Sequence, residues 1–386
     1  MSLQGKGQAT SFGEFCTSGD KRAIMGTMEM SSVGASGVTV AHERQGSDRT
    51  PGGGQPPEQV AQRDAVIMAR GLQKHFDSTV VLRDLSMSVA AGEIFGLIGP
   101  SGSGKSTAIH LLCGHLRASG GEMAVLGSTP DKFTAAIRRR IGYMPQGFAL
   151  YPDLSVEQNV AFAAGLYGLP EWRNKARIRE TLELVQLWDA RKRAARAVSG
   201  GMQRRIALAA ALVHDPEIIF MDEPTANLDP ILRAHLWEHF RALRERGRAL
   251  LITTQYVDEA EYCDRVGLMY DGSLIATGRP LTLRRQAFGG DIVEFSIAQS
   301  SPGYVAALAA VPGVRATQER GAEPLRVTVD DANSAIPILL DALEAGGATI
   351  RSVSQYQPTF DEVFIRLIEQ HGDAPPETGR LKVASR

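Results

Sequence analysis

The stretch "GPSGSGKS", Gly99 to Ser106, decides the fold. It matches the pattern G-x-x-x-x-G-K-[S/T] and lies between "GEIFGLIG", which reads as a buried strand, and "STAIHLLCGHL", which has helical spacing. At average glycine content the bare pattern arises by chance in roughly one chain in a hundred of this length, and the strand-then-helix context lowers that further. Small residues let the backbone curl so that successive N–H groups point at phosphate oxygens, and a helix starting near Lys105 adds its positive end. Gly99, Pro100, Ser101, Gly102, Ser103, Gly104 and Thr107 would line this cradle for a nucleoside triphosphate, with Lys105 reaching the β- and γ-phosphates and Ser106 offering its hydroxyl to Mg²⁺.

Hydrolysis also needs a metal-fixing carboxylate and a group that positions water. "EIIFMDEP" supplies candidates for both. Ile218 to Met221 is a continuous apolar run suited to a central parallel strand, Asp222 at its end is placed to hold Mg²⁺ through water, and Glu223 is the candidate base. Adjacent acids after a strand are often a solvated loop; the independent phosphate loop in the same chain favours the catalytic reading. In "VSGGMQRRIALAAALV", Ser199 can cap a helix that begins near Met202, and with Gly200 and Gly201 it makes a second anion-binding helix start. "LITTQYVDEAE", Leu251 to Glu261, begins as an apolar strand, turns polar at Thr253, Thr254 and Gln255, and enters what looks like the first acidic turn of a helix. Such a strand carries Gln255 to a rim where ligands bind.

The 386 residues leave room for two domains. Hydrophobic content of 43%, charged content of 22% and a formal net charge of -1 describe an ordinary globular protein and argue against bulk binding to nucleic acid. Cys16, Cys113 and Cys263 lack paired spacing, which suggests neither a disulfide framework nor a zinc site and fits a reducing cytosol best. The longest apolar run, Ile206 to Val213, is far shorter than the ~18–20 residues that span a bilayer, and no apolar signal-peptide core lies near Met1. Work at a membrane would therefore need another chain to supply the membrane part.

Residues 1–62 are rich in Gly, Ser, Thr, Gln and Pro and read as a disordered extension, or as a translation start assigned too early. Strand and helix patterns alternate over residues 63–288, which predicts an α/β layer fold around a largely parallel sheet, with an inserted helical subdomain at about residues 147–203. Residues 289–370 combine the strand patterns "DIVEFSIA", "LRVTVD" and "TIRSVSQ" with helical spacing, predicting a small α+β domain before a disordered tail, 371–386. No internal repeat is evident.

Taken together, these motifs resemble the ATP-binding subunits of ATP-binding cassette (ABC) transporters, over roughly residues 65–370. "GPSGSGKS" is similar to the Walker A loop, "IIFMDE" to Walker B with its catalytic glutamate, and "VSGGM" to the LSGGQ signature. Gln146 in "YMPQ" resembles the Q-loop glutamine that touches Mg²⁺, and "ANLD", Ala226 to Asp229, the D-loop. Phe76 in "KHFD" stands where the family has an aromatic that stacks on adenine; an ordinary core aromatic is the alternative. "FALYPDLSVEQNV" and "PTFDEVFIRL" are similar to segments of the daunorubicin-resistance type of exporter ATPase. Val198 and Met202 depart from the usual signature but leave Ser199 to Gly201 intact. Gln255 replaces the usual switch histidine, as in some drug-export members.

The resemblance implies a P-loop ATPase using ATP and Mg²⁺, with Glu223 and Gln255 as catalytic residues and Ser106, Gln146 and Asp222 at the metal. It further implies a head-to-tail pair of cassettes, most simply a homodimer, in which Ser199, Gly200 and Gly201 of one close over ATP on the other. The partner would be a separate transmembrane permease, the location the cytoplasmic face of the membrane, and the activity export of drugs or other hydrophobic compounds, with no nucleic acid involved. An importer ATPase with a regulatory C-terminal domain and a soluble non-transport ABC ATPase are the alternatives. Against the latter, the chain has neither two cassettes nor a long coiled coil between Walker A and the signature.

Overall fold

Two long strands open the fold. The computed structural model describes residues 65–147, 150–299, 303–318 and 324–372, all within one compact unit; the expectations for residues 1–62 and for the tail beyond residue 372 lie outside them. β1 (Ala65–Phe76) and β2 (Thr79–Ala90) pair antiparallel and run longer than the short strands the sequence suggests. Register shifts between Ala69 and Leu72 and between Leu72 and Lys74 break the alternation of apolar residues, so one strand reads as fragments. β3 (Ile94–Ile98), buried at every position, leads through the glycine-rich loop Gly99–Gly104 into α1 (Lys105–Leu112). β4 (Gly120–Val125), the one-turn α2 (Ala135–Arg138) and β5 (Ile141–Met144) follow.

Between β5 and the next strand come α3 (Val156–Leu166), α4 (Glu171–Leu184) and α5 (Gly200–Leu212). α3 starts on a complete capping box, in which Ser155 and Gln158 satisfy each other's backbone N–H groups. β6 (Ile218–Asp222), α6 (Pro230–Glu245) and β7 (Ala249–Thr254) complete the central layer. After β7 the acidic segment forms a 3₁₀ helix, Val257–Tyr262, where the sequence suggested an ordinary helix start. β8 (Arg265–Tyr270), β9 (Ser273–Gly278) and α7 (Pro280–Phe288) close the larger, N-terminal part.

The nine strands form one sheet in the order β4-β1-β2-β9-β8-β3-β7-β6-β5. The run β8-β3-β7-β6-β5 is parallel throughout, and the hairpin β1-β2 with β4 adds an antiparallel flank. Alternate residues of the central strands feed two cores. Ile98, Met221 and Ile252 join the cluster shared with α3, α5 and α6, whereas Leu97, Phe220 and Leu251 join the one beneath α1 and the hairpin.

The C-terminal part has the connectivity βαββαβ: β10 (Asp291–Gln299), α8 (Tyr304–Ala309), β11 (Val314–Gln318), β12 (Leu325–Val329), α9 (Ala332–Ala345) and β13 (Thr349–Tyr356). Its strands form an antiparallel sheet in the order β11-β12-β10-β13, with Val293, Phe295, Val327, Leu339 and Leu343 in a separate core. The last helix, α10 (Phe360–Gln370), leaves that core. Phe360, Val363, Phe364, Leu367 and Ile368 are buried instead in the cluster shared with α3, α5 and α6. Each such side chain contributes ~1.5–3 kcal/mol by leaving water, enough to fasten the two parts together. No helix among the described residues is long and apolar enough to cross a membrane.

Candidate functional site

Strand register brings the candidate residues to one rim. Ile98 pairs with Thr254 and Asp222 with Thr253, so β3, β6 and β7 end side by side. They deliver Gly99, Glu223 and Gln255 at the carboxyl ends of parallel strands, where open α/β sheets bind ligands.

The loop after β3 fits tightly against its neighbours. Gly104 caps α1 at φ 99°, and a Cβ there would lie 2.7 Å from Leu82 Cδ2 and 2.9 Å from the Val81 carbonyl oxygen. At Gly99 an added Cβ would lie 2.1 Å from the Met269 carbonyl oxygen. Glycine is therefore required at both positions by β2 and β8 themselves. Lys105 is buried, and its Nζ donates to the carbonyl oxygens of Gly99 and Pro100, both at 2.8 Å. Burial pulls its pKa down, while the carboxylates of Glu223 and Asp222 hold the charge in place.

The acidic pair is fixed from three sides. Asp222 Oδ1 accepts from the Ser106 hydroxyl at 3.0 Å and from the Thr253 hydroxyl at 2.5 Å. Glu223 sits at φ 50°, in the left-handed region, and its N–H donates to the Thr253 carbonyl oxygen at 3.0 Å and to Thr253 Oγ1 at 3.1 Å. The Thr253 hydroxyl thus donates to one acid and accepts from the backbone of the other. Arg204, on α5, reaches over the same turn: its guanidinium donates to the carbonyl oxygens of Asp222 (3.2 Å), Glu223, Pro224 (3.3 Å) and Gln146 (3.3 Å). Burial lowers the pKa of Arg204, and Glu223 and Asp222 oppose that shift. These bonds stabilise a backbone conformation that costs a non-glycine residue ~1–3 kcal/mol.

Two amides complete the rim. Gln146 Nε2 donates to Glu223 Oε2 at 3.2 Å, and the Ser101 hydroxyl donates to Gln255 Oε1 at 3.3 Å. Ser101, Lys105, Ser106, Gln146, Asp222, Glu223 and Gln255 therefore form one assembly around the loop Gly99–Thr107. The Ser106 hydroxyl, the Asp222 carboxylate and the Gln146 amide oxygen are hard oxygen donors, the set that suits Mg²⁺.

Phe76 and the signature segment stand apart. Phe76 ends β1 as a residue 43% exposed, which rules out the core alternative, and Lys74 Nζ lies 4.6 Å from the ring centroid. It belongs to the hairpin whose Val81 and Leu82 crowd Gly104, although no hydrogen bond or ring contact among the described residues ties it to the loop. Ser199 and Gly200 are exposed at the start of α5. The helix begins at Gly200, two residues ahead of the position expected, and Ser199 Oγ accepts from Met202 N at 3.3 Å. Gly200 has open space where a side chain would be.

Sequence reasoning missed Arg204 and the bridging role of Thr253. The basic pair after "SGGMQ" was visible as a pattern, but its partner, a row of backbone carbonyls, was not.

Linearmycin resistance ATP-binding protein LnrL of Bacillus subtilis (strain 168) is 32% identical over 305 residues, covering 78% of this chain and 98% of LnrL. The chain belongs to the ABC transporter ATP-binding proteins. Its family is one of ATPases, and the cassette carries the ABC transporter family match over residues 82–226. A second match, to the ATP-binding protein DrrA1-3-like C-terminal domain, covers residues 278–368 and therefore includes most of α10. Daunorubicin resistance ATP-binding protein DrrA3 of Streptomyces coeruleorubidus is 35% identical over 305 residues, covering 79% of this chain and 96% of DrrA3. The probable multidrug ABC transporter ATP-binding protein YbhF of Escherichia coli (strain K12) is 41% identical over 224 residues; these are 58% of this chain and 39% of YbhF. Among solved structures, an ATP-binding subunit of an ABC transporter superposes with TM-score 0.54 at 27% identity, covering 57% of this chain and 92% of that one. The dimeric post-hydrolysis state of the cassette MJ0796, bound to ADP and Pi, gives TM-score 0.52 at 25% identity, over 55% of this chain and 98% of that chain. The cassette is thus an ATP-binding one.

Proposed function

We propose that this chain is the ATP-hydrolysing subunit of an exporter and powers efflux of drugs or other hydrophobic compounds through a separate transmembrane permease. The observation that carries this reading is the span of the resemblance: two relatives named for resistance to linearmycin and to daunorubicin match along nearly their whole length, C-terminal domain included. Relatives named Nod factor export ATP-binding protein I also fit an outward direction. The location would be the cytoplasmic face of the membrane, held there by the permease.

The site residues take roles that suit their contacts. Lys105 and the N–H groups of Gly99–Thr107 bind the phosphates, and Phe76, exposed on the neighbouring hairpin, stacks on adenine. Ser106, Asp222 and Gln146 hold Mg²⁺, whose positive charge, when bound, offsets charge developing on the phosphates. Glu223 takes a proton from the attacking water, its backbone locked by Thr253 and Arg204 and one carboxylate oxygen oriented by the Gln146 amide. Gln255 presents its amide N–H to the γ-phosphate, because its Oε1 is already engaged by Ser101. Ser199 and Gly200 are exposed at a helix start, with Gly201 partly buried beside them, which suits closure over ATP held by a second cassette in a head-to-tail homodimer.

The test is purification from solubilised membranes followed by transport in inverted vesicles. A membrane-spanning protein should co-purify with the chain, and vesicles holding both should accumulate a fluorescent anthracycline only with ATP. Absence of a membrane partner, or uptake confined to right-side-out vesicles, overturns the assignment.

A further inference from the structure

One guanidinium joins the segment after Gln255 to the last helix of the chain. Arg284, on α7, has a side chain 14% exposed. It forks onto the Glu261 carboxylate, with Nη1 at 3.3 Å from one oxygen and Nη2 bonded to the other, while Nε donates to the Pro358 carbonyl oxygen at 3.0 Å. The same guanidinium lies 5.0 Å from the centroid of the Phe360 ring. Glu261 belongs to the 3₁₀ helix Val257–Tyr262, which begins two residues after Gln255. Pro358 and Phe360 flank the start of α10, which packs against that helix, with Val257 and Ala260 sharing a buried cluster with Phe360 and Phe364.

A 3₁₀ helix of this length has poor internal hydrogen bonding, and this one has no side-chain cap at its start. Its position must come from outside. An ion pair with one partner half-exposed adds little net stability, but a bidentate fork fixes two groups in one geometry. The far side of the fork is equally well tied: Tyr356, the last residue of β13, donates to Glu362 of α10 at 2.9 Å, and Arg326 of β12 stacks 3.7 Å from the centroid of the Tyr356 ring. A continuous set of contacts therefore runs from the C-terminal sheet, through α10 and Arg284, to the residues that follow Gln255.

We propose that Arg284 is a positioning residue for Gln255, and that through it the C-terminal domain sets the rate of ATP turnover. This rests on the reading of Gln255 as the γ-phosphate contact. The full chain is assayed as wild type, Arg284→Ala, Gln255→Ala and the double variant, for kcat, KM and ATP affinity by calorimetry. Arg284→Ala should lower kcat about tenfold, the usual scale for losing a group that orients another, and leave ATP affinity unchanged. In the Gln255→Ala background the same change should cost less than about twofold, because the oriented group is gone. Glu261→Gln, at a half-exposed position that puts the fold at little risk, should give about a threefold loss of kcat with the same dependence on Gln255. Equal losses in both backgrounds, wild-type kcat in both Arg284→Ala and Glu261→Gln, or weakened ATP binding in step with kcat would each overturn the proposal. A Gln255→Ala chain with wild-type turnover would instead remove the switch reading, and this inference with it.

Discussion

Replacing Thr253 by valine removes one hydroxyl and hardly changes volume, at a position with no solvent exposure. Two hydrogen bonds go with it. The bond to Asp222 at 2.5 Å is made to a carboxylate, and such bonds contribute ~1.5–3 kcal/mol. The bond from Glu223 N matters less, since that N–H keeps the Thr253 carbonyl at 3.0 Å, and its loss adds under ~1 kcal/mol. Their sum, about 1.5–4 kcal/mol, corresponds to a fall of roughly 3–16 °C in Tm for a cassette of this size. Turnover should fall further than stability alone requires. Asp222 Oδ1 would be oriented by Ser106 only, and removing a partner that orients a metal-holding carboxylate costs about 10–100-fold in metal affinity or activity. Thermal melts and steady-state ATP hydrolysis of Thr253→Val and Thr253→Ser decide the matter, because serine keeps the hydroxyl and should recover most of both losses. A valine variant that melts and hydrolyses like the wild type refutes the bridging role. Lost stability with unchanged turnover would confine Thr253 to the core.

Glu223→Gln should bind ATP normally yet lose about 10²–10⁴-fold in hydrolysis, the usual range for a general base; undiminished steady-state turnover would remove that role. Lys105→Ala should weaken ATP binding about 10–100-fold, the loss of a charge-assisted contact made by a buried ammonium, and unchanged affinity by calorimetry would count against the phosphate loop. Gln255→Ala should cut turnover at least about tenfold while Gln255→His is tolerated, since both glutamine and histidine offer an N–H; normal turnover in the alanine variant would reduce Gln255 to a polar strand end. His214 is held down to about 4 from 6.5, chiefly by burial. Its unfolded form takes up a proton below pH 6.5 that the native form refuses until about pH 4, so the stability tied to this group is complete above pH 6.5 and drains away as pH falls towards 4. His214→Gln should flatten that part of the stability profile, and an unchanged slope measured by denaturant unfolding would contradict the assignment.

What could be read from the sequence was contiguous. Gly99–Ser106, Asp222–Glu223 and Ser199–Gly201 each pack their chemistry into a few neighbouring residues, and the strand or helix beside each is marked by an apolar run. What could not be read depends on register and on packing between distant segments. Thr253 bridges the acids only because β7 pairs with β6 so that Thr253 stands opposite Asp222. Arg204 looked like one more basic residue on a helix until the helix placed it over four backbone carbonyls. β4, "GGEMAV", has no clean alternation, and β11, "VRATQ", is short and polar, so neither carried a strand signal. α10 was visible as an amphipathic helix, but amphipathicity does not say which core receives the apolar face.

Glutamine rather than histidine at position 255 sets how the rim handles charge. In the role proposed for this position, a histidine could be protonated and add a positive charge beside the γ-phosphate; glutamine offers the same direction of donation but no charge at any pH. The positive side chains around the acids are then Lys105, buried and compensated by Asp222 and Glu223, and Arg204, turned onto backbone carbonyls. Neither is free to move with the nucleotide. A neutral amide held by a neutral hydroxyl can be aimed only by geometry, through Ser101 on one side and the 3₁₀ helix Val257–Tyr262 on the other. A protonated ring could draw itself to phosphate from a poor starting position, since Coulomb attraction falls off slowly with distance, whereas a neutral amide contact weakens steeply once distance or angle is wrong. On the proposed reading, a cassette with glutamine at this position depends more on the contacts that hold that helix still: Arg284 and α10 on one side, and the bond from Trp237 to Glu259 on the other.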